Sequence, residues 1–398
     1  MNSTRIIDTS KEEEILKDSL SEYQAPYSGK ANSLLTRLKE TVRSLPFFPV
    51  LDYYRRKIIE APFFDPLVRP LADALARWPQ IIELDITNRC NAKCVWCPNP
   101  ELEDLGAMSM SLFRKIIDDY STRGGVVRFG TFGEPLMDKT FSQKIEYLRR
   151  FSSIRKVEVV NNGFFLNERL AKVFLDNQVD TEISLDELDK DTFEDVKKMS
   201  YDMVRENIFR LLEMNQKIKN PINVNLRIKS SLNREETINH EFFQKLLNYK
   251  CFIELTPIEE DSITSWAGRF DNENFYKEYM RNSAIQKRFN PKEYNRRNSA
   301  PCNQLWKWMV IYWDGSVVPC CLDMFSSTVL GNLEKNSIEE IWTGPAYTKF
   351  RNKMTKRQRF DIPICQDCDL HLGWQNLKNH YLLNADGTIS YPDQPFVG

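Results

Sequence analysis

The sequence is poor in histidine and contains no long apolar segment. Only 3 His occur among its 398 residues, which disfavours catalysis that rests on several histidines. No run of 18 apolar residues is present, which excludes a transmembrane helix by sequence. The opening segment, MNSTRIIDTSKEEE, lacks the apolar core of a secretory signal. These absences predict a cytoplasmic protein with no transmembrane segment.

The chain also lacks an excess of charge of either sign. Lys and Arg total 55 and Asp and Glu total 56, so the formal net charge is -1. A protein that binds nucleic acid through a basic surface usually carries a clear positive excess. We therefore expect no nucleic-acid partner. The length predicts about two to three domains, enough for a large core and a site between domains.

Cysteine is the informative residue. There are 9 Cys in a chain without an export signal. In a reducing compartment, clustered cysteines are more often metal ligands or catalytic groups than disulfides. One group lies near residue 90, a second group lies beyond residue 300, and Cys251 stands alone between them.

Residues 80–262 alternate between strand and helix patterns. The predicted strands are residues 81–87, 126–131, 156–162, 180–186, 222–229 and 252–258. Strands separated by helices favour parallel βα units, and right-handed crossovers curl such units into a barrel. We therefore predict an α/β fold, a partial (β/α)6 TIM-type barrel. A doubly wound open sheet is the alternative. Either fold binds ligands at the carboxyl ends of its strands.

The flanking segments have different compositions. Residues 1–79 are predicted to form a mostly helical N-terminal extension, with about the first 30 residues loosely ordered. Its aromatic and basic residues leave a partner or membrane-surface patch open as an alternative. Residues 263–300 are predicted to be a linker or lid, 301–380 a small C-terminal cluster domain, and 381–398 a tail. Within that small domain, Asp314-Gly315 predicts a β-hairpin.

The first cysteine group follows the first predicted strand. Cys90, Cys94 and Cys97 are separated by three and then two residues, on a loop at the strand's carboxyl end. Three thiolates can converge on one metal centre, and a cubane cluster with three cysteine ligands keeps one iron open. An open position is typical of a catalytic metal site. Three free thiols, or a zinc site completed elsewhere, are the alternatives.

This C-x3-C-x2-C pattern resembles the radical S-adenosylmethionine (SAM) enzymes over residues 80–260. The resemblance implies a [4Fe-4S] cluster whose open iron is chelated by SAM. It also implies reduction of the cluster by a donor such as flavodoxin or ferredoxin. SAM is then cleaved to methionine and a 5′-deoxyadenosyl radical that abstracts a substrate hydrogen.

The same resemblance implies SAM-binding positions at the ends of later strands. Gly133 and Glu134 lie where the family has a Gly-Gly-Glu segment that contacts the SAM amino group, although Phe132 replaces the first glycine. The remaining positions are Asn161 of the Asn-Asn-Gly turn, Ser184 and Asp186 of the Ser-x-Asp segment, and Arg227 as a carboxylate partner on the fifth strand.

The second cysteine group is predicted to form a closed site. By residue type, a structural Zn(Cys)4 site and an iron–sulfur cluster fit equally. The span resembles the SPASM/twitch extension of radical SAM enzymes, with C-x12-G-x4-C followed by C-x2-C. That resemblance implies one auxiliary cluster, [4Fe-4S] in type, in the shorter twitch arrangement. Its implied ligands are Cys302, Cys320, Cys365 and Cys368, with Cys321 a neighbour or substitute.

Cys251 and Cys321 are the candidate catalytic cysteines. A lone cysteine is commonly a small buried hydrophobe. The alternative is a hydrogen-atom donor that quenches a substrate radical, as the resemblance to sugar epimerases implies. Cys251 begins the last predicted strand, which is the wrong end for a site at the carboxyl edge.

The resemblance implies an oxidoreductase or epimerase acting on a small polar metabolite: a sugar, cyclitol or nucleoside. A maturase that modifies a peptide is the first alternative, and the helical character predicted for residues 1–79 counts against it. A non-enzymatic metal-binding protein is the second alternative, and the open three-cysteine site argues against it.

Replacing Cys90, Cys94 and Cys97 together by alanine is expected to abolish formation of 5′-deoxyadenosine, because no thiolates remain to hold the cluster that SAM needs. Anaerobically reconstituted protein with SAM and dithionite, followed by chromatography, measures this directly. Persistent 5′-deoxyadenosine at the level of the unchanged chain would refute the cluster assignment.

Overall fold

The computed structural model describes residues 76–232, 234–255, 266, 302–366 and 368, and the backbone of two strands near the carboxyl terminus. Nearly all of the predicted N-terminal extension, most of the predicted linker or lid, and most of the predicted tail lie outside the described residues. The domain boundaries drawn from the sequence stay predictions.

The described strands form one eleven-stranded sheet in the order β11-β10-β6-β5-β4-β3-β2-β1-β7-β8-β9. Strands β1 to β6 pair in parallel with their sequence neighbours, and β7 pairs in parallel with β1. Because the order is linear, the described strands make an open sheet rather than a closed barrel. This confirms the α/β class and the partial barrel. The strands are β1 Ile81–Leu84, β2 Gly125–Phe129, β3 Ile154–Asn161, β4 Asp180–Ser184, β5 Val224–Ile228, β6 Phe252–Leu255, β7 Trp308–Ile311, β8 Ser316–Val318, β9 Gly331–Asn332, β10 Tyr381–Leu383 and β11 Ile389–Ser390.

Helices connect the parallel strands, and several begin at a side-chain cap. Ser109, Asn167, Asp189 and Ser200 each accept a hydrogen bond from a backbone N–H in the first turn. No helix in the described ranges is long and apolar enough to cross a membrane. The helices are α1 Met110–Ser121, α2 Phe141–Leu148, α3 Glu168–Asp176, α4 Lys190–Lys197, α5 Tyr201–Lys217, α6 Arg234–Asn239, α7 Glu241–Leu246, α8 Ile338–Trp342, α9 Pro345–Thr355 and α10 Pro363–Gln366.

The two faces of the sheet differ in chemistry, because successive side chains of a strand point to opposite sides. One face is apolar and packs against the helices: Phe129 of β2 lies with its ring centroid 6.2 Å from Phe113 of α1 and 5.9 Å from Phe141 of α2. The other face carries ionic side chains on successive strands. We call it the charged face and define it by Glu83, Arg128, Glu158, Glu182 and Arg227.

The C-terminal cysteine region is tied to this sheet. Its predicted hairpin forms, with β7 and β8 antiparallel, and β7 also pairs with β1. Cys302 precedes β7 and Cys320 follows β8, so both lie towards the amino-terminal edge of the parallel strands. The loop that carries Cys90 follows β1 at the opposite edge. The charged face therefore runs between the two groups of cysteines.

Leu84→Ala is expected to lower the free energy of unfolding by about 2–5 kcal/mol, because a fully buried side chain on the apolar face is lost. Leu105→Ala is the matched control: its side chain is 45% exposed, so the expected change is within about 0.5 kcal/mol. Urea unfolding followed by circular dichroism measures both. Equal losses for the two variants would contradict the assignment of the core face.

Candidate active site

The cysteine loop, residues 88–100, is closed by two asparagines. Asn88 donates from Nδ2 to the Asp104 carbonyl at 2.7 Å, and its Oδ1 accepts from the Gly106 N–H at 2.8 Å. Asn99 donates from Nδ2 to the Asn88 carbonyl at 2.8 Å and also to the Phe132 carbonyl. These bonds satisfy backbone groups at the base of the loop and fix where its thiols lie.

The loop docks onto the end of α4. The Lys93 N–H donates to the Lys197 carbonyl at 3.1 Å, and the Val95 N–H donates to the Val196 carbonyl at 3.0 Å. The last carbonyls of a helix lack partners within the helix, and α4 ends because Lys198 adopts a left-handed conformation, φ 54°. The cysteine loop therefore supplies the partners that the helix end needs.

The three thiols of the loop suit an iron–sulfur cluster. Burial, together with the charges of Glu134 and the other loop cysteines, raises the pKa of Cys90 to about 12; burial is also the main reason that the pKa of Cys97 rises to about 12. Such thiols ionise at neutral pH only beside a strong cation, which iron supplies. Among the described residues, no three Cys, His, Asp or Glu side chains converge on a single-ion site. The donor chemistry fits a cluster held by Cys90, Cys94 and Cys97.

Glu134 lies beside this loop with both carboxylate oxygens engaged. It is 1% exposed, and it accepts from the Leu136 N–H at 3.0 Å and the Asn162 N–H at 2.7 Å. Burial raises its pKa to about 7, and the two backbone amides partly offset this rise. Each oxygen retains lone pairs for a further donor. The predicted contact with the SAM ammonium stays a prediction.

Gly133 is required by packing. A Cβ atom at this position would lie 2.2 Å from the Thr87 carbonyl oxygen and 2.8 Å from backbone atoms of Asn88. The end of β2 thus presses against the backbone where the cysteine loop begins. Phe132, which departs from the family pattern, has its ring centroid 4.9 Å from that of Tyr312, in a small apolar cluster with the β7–β8 hairpin, and Cys97 of the cysteine loop packs against this cluster.

The Asn-Asn-Gly turn after β3 contributes two different side chains. Asn161 is used within the fold, since it donates to the Thr181 hydroxyl at 2.8 Å and accepts from the Gly163 N–H at 2.9 Å. Asn162, which sequence reasoning passed over, donates to Oδ1 of Asn91 in the cysteine loop at 2.9 Å. The turn itself was the available signal, but the sequence could not say which asparagine faces the loop.

A buried ion pair joins the Ser-x-Asp segment to α4. Lys197 Nζ lies 2.5 Å from Asp186 and donates to the Ser184 carbonyl at 2.9 Å, and both charged side chains are less than 5% exposed. Burial lowers the pKa of Lys197, but the charges of Asp186 and Cys94 outweigh this and raise it above its usual value. Burial raises the pKa of the Cys94 thiol, and the Lys197 cation offsets part of this rise. Nothing in the single sequence marked Lys197.

Arg227 lies on the charged face, in register with Ser184 of the neighbouring strand. Its Nη1 is 3.0 Å from Oε1 of Glu182, and its Nη2 donates to the Ser184 hydroxyl at 3.2 Å. Its side chain is 35% exposed, more than the carboxylate beside it. Arg227 therefore connects Glu182 on the charged face to Ser184 at the end of β4.

The charged face holds ion pairs and unpartnered polar atoms together. Arg128 bridges Glu158 at 2.9 Å and Glu182 at 3.1 Å. Burial is the main reason that the pKa of Glu83 rises to about 8, and its Oε2 has no hydrogen-bond partner. Both amide atoms of Asn225 also lack partners, while the buried carboxylate of Asp85 faces the backbone N–H groups of Phe132 and Gly133, which partly offset the rise in its pKa caused by burial. Buried polar atoms are usually satisfied, so this face is poised to receive a polar ligand.

The C-terminal cysteines are brought together. Burial is the main cause of the raised pKa values of Cys302, Cys320 and Cys365, and each is raised further by the charge of Cys368. In the last of these segments the Cys368 N–H donates to the Cys365 carbonyl at 3.4 Å, which forms the knuckle. These four residues, which we call the auxiliary cysteines, have the chemistry of a closed cluster site.

The two candidate catalytic cysteines occupy different surroundings. Burial and the nearby charge of Glu83 raise the pKa of Cys321 to about 12, and Gln304 lies 3.9 Å from its sulfur. Cys321 is thus within electrostatic range of the charged face. Cys251 is 7% exposed in the apolar core at the amino end of β6, and burial alone raises its pKa to about 12. The structure does not bring Cys251 to the cysteine loop.

Lys197→Met is expected to lower the free energy of unfolding by about 3–5 kcal/mol, because Asp186 is left buried without its counter-charge. The matched control is Lys144→Met, which breaks another buried ion pair, between Lys144 of α2 and Asp138. Both should lose stability, but only Lys197→Met should also lower the iron and sulfide retained after reconstitution. Equal iron in the two variants would contradict a role for Lys197 at the cysteine loop.

Comparison with known proteins agrees with this geometry. Residues 84–227 match the radical SAM superfamily, and residues 302–369 match SPASM, an iron–sulfur cluster-binding domain. The GTP 3',8-cyclase of Clostridium perfringens is 24% identical over 202 residues, 48% of this chain and 59% of the cyclase. The chain spans between 56% and 60% of the length of the first cyclases that it matches.

Two longer similarities cover more of the chain. A tungsten-containing aldehyde ferredoxin oxidoreductase cofactor-modifying protein of Pyrococcus furiosus is 24% identical over 322 residues, 72% of this chain and 86% of that protein. The structure of SuiB from Streptococcus suis, bound to precursor peptide SuiA, has a TM-score of 0.51 at 13% identity and covers 86% of this chain and 78% of SuiB. It supports the fold. The chain therefore carries a radical SAM domain, which binds a [4Fe-4S] cluster and SAM, and a C-terminal SPASM domain, which binds auxiliary iron–sulfur.

Proposed function

We propose that the enzyme abstracts hydrogen from a small polar metabolite, a sugar, cyclitol or nucleoside, and epimerises or oxidises one of its carbinol carbons. The observation that carries the proposal is the charged face, which holds buried, unpartnered polar atoms between the cysteine loop and the auxiliary cysteines. A substrate seated there would lie between the two clusters.

The unpartnered atoms favour a ligand rich in hydroxyl groups. Glu83 offers its Oε2 atom, and Asn225 offers both an amide donor and an acceptor. Leaving a polar atom buried without a partner costs about 1–3 kcal/mol, so hydroxyl groups that satisfy these atoms gain that free energy on binding. An apolar substrate would leave them unsatisfied.

The balance of charge argues against a phosphorylated substrate. The guanidinium groups of the charged face are already paired, Arg128 with Glu158 and Glu182, and Arg227 with Glu182. A phosphate group would meet carboxylates without a free cation among these residues. Neutral or amine-bearing polyols suit this surface better. The cyclases that the chain matches are named for GTP, and the enzyme proposed here differs from them in this respect.

The bound cofactors would supply the difficult chemistry. When loaded, the cluster of the cysteine loop cleaves SAM and provides a 5′-deoxyadenosyl radical that removes a substrate hydrogen. The chain's own residues hold and orient the reactants. The ion pair of Asp186 and Lys197 holds the end of α4 beside Cys94. On the β3 side, Glu134 accepts from the Asn162 N–H, and the Asn162 side chain donates to the cysteine loop. Glu83, with its pKa of about 8, keeps a proton at neutral pH and can donate it to a substrate hydroxyl.

The position of Cys321 favours epimerisation as the outcome. Its thiol is near Glu83 and Arg128, so it can return a hydrogen atom to a substrate radical held on the charged face. The thiyl radical would then need one electron, which an external donor such as flavodoxin or ferredoxin would supply through the auxiliary cluster, and one proton, which solvent would supply. Oxidation would instead send the electron of the substrate radical to that cluster and a proton to solvent.

Anaerobic incubation with SAM, dithionite and candidate polyols in deuterated water tests the proposal. We expect deuterium at an inverted carbon in the product, detected by NMR and mass spectrometry. Cys321→Ala should still form 5′-deoxyadenosine but give no inverted product, because the hydrogen donor is absent. Cys251→Ala, the matched control, should behave like the unchanged chain.

Two results would decide the outcome or exclude the function. A carbonyl product without solvent label would show oxidation rather than epimerisation. Modification only of peptides, with no polyol stimulating SAM cleavage, would exclude a small polar substrate altogether.

A further inference from the structure

A buried arginine beside the auxiliary cysteines has an unsatisfied donor. Arg359 is 1% exposed and opens the short 3₁₀ turn Arg359–Asp361, just before the helix α10 that carries Cys365. Its Nε donates to the Cys365 carbonyl at 3.4 Å, while its Nη1 is buried and has no hydrogen-bond partner. Arg359 makes no ion pair with a carboxylate in the described part of the chain.

Such an arrangement is unfavourable unless an anion is close. A guanidinium stays charged at any physiological pH, and a buried charge without a counter-charge costs several kcal/mol. The auxiliary cysteines are the candidates for a counter-charge, because Arg359 contacts the Cys365 carbonyl and its cation lowers the pKa of Cys302 and of Cys365, although burial keeps both above their usual value. A [4Fe-4S] cluster with four thiolate ligands is itself anionic and presents sulfur acceptors.

We propose that Arg359 is the counter-ion of the auxiliary iron–sulfur cluster, donating a hydrogen bond to its sulfur and raising its reduction potential. The inference rests on the assignment of the four auxiliary cysteines as ligands and does not depend on which substrate the enzyme uses. Backbone hydrogen bonds hold the segment from Arg359 to Cys365: the Ile362 N–H donates to the Arg359 carbonyl at 3.1 Å, and the Cys365 N–H donates to the Ile362 carbonyl at 2.8 Å.

The functional consequence follows from charge. Accepting one electron makes the cluster more negative, so a fixed cation stabilises the reduced form more than the oxidised form. Hydrogen bonds to cluster sulfur act in the same direction. Arg359 thus makes the auxiliary cluster an easier electron acceptor.

The experiment isolates the auxiliary cluster in the full-length chain by replacing Cys90, Cys94 and Cys97 with alanine. In this background, Arg359→Gln and Arg359→Lys are reconstituted anaerobically, and iron, sulfide and secondary structure are measured. A dithionite titration with redox mediators, followed by electron paramagnetic resonance, then gives the midpoint potential. We expect a more negative midpoint for Arg359→Gln and an intermediate value for Arg359→Lys, which keeps the charge but loses the planar donor.

Arg351→Gln is the matched control. Arg351 is also a buried arginine, 8% exposed, but it donates to the backbone carbonyls of Leu305 and Trp342 and lies over the Trp342 ring. This variant should lose thermal stability without moving the midpoint. The same midpoint for Arg359→Gln as for the unchanged background would overturn the proposal, and so would an equal shift in Arg351→Gln.

Loss of the cluster is also informative. If Arg359→Gln binds no iron while Arg359→Lys binds it normally and both keep their circular dichroism, the charge is required to hold the cluster and the proposal stands. If both variants and Arg351→Gln lose iron alike, a general loss of folding explains the result and the proposal fails. Iron retained after Cys365→Ala with Cys368→Ala would remove the ligand assignment on which it rests.

Discussion

The site depends on how the cysteine loop is anchored to the end of α4. Two loop amides bind the carbonyls of Val196 and Lys197, and the Lys197 side chain returns to Asp186 at the end of β4. A flexible loop could not hold three buried thiols in a fixed arrangement against their mutual repulsion. The helix end, whose carbonyls need partners in any case, provides that anchor without additional structure.

The two faces of the sheet have different roles. The apolar face supports the helices and supplies most of the burial, while the charged face concentrates polar atoms that the fold itself leaves unsatisfied. Because β7 pairs with β1, this face also connects the cysteine loop at one edge to the auxiliary cysteines near the other. Substrate chemistry and electron transfer can therefore meet on a single surface.

The packing of Phe132 explains one departure from the family pattern. The family pattern has glycine at the position of Phe132, whose ring packs against Tyr312 in the β7–β8 hairpin. The close contact with the backbone of the cysteine loop is made by the next residue, Gly133. Phe132 thereby couples the radical SAM part of the sheet to the strands that follow it. The segment that follows β2 and the C-terminal region share a small apolar cluster.

The sequence by itself determined the elements and the metal chemistry. Alternation of strand and helix patterns predicted β1 to β6, and cysteine spacing predicted the cluster ligands, because these signals are local in the chain. Only the tertiary structure decided the pairing of β7 with β1, the buried Lys197–Asp186 pair and the burial of Arg359 next to Cys365. Each of these joins residues by packing or charge across the fold, and no local pattern encodes such a contact.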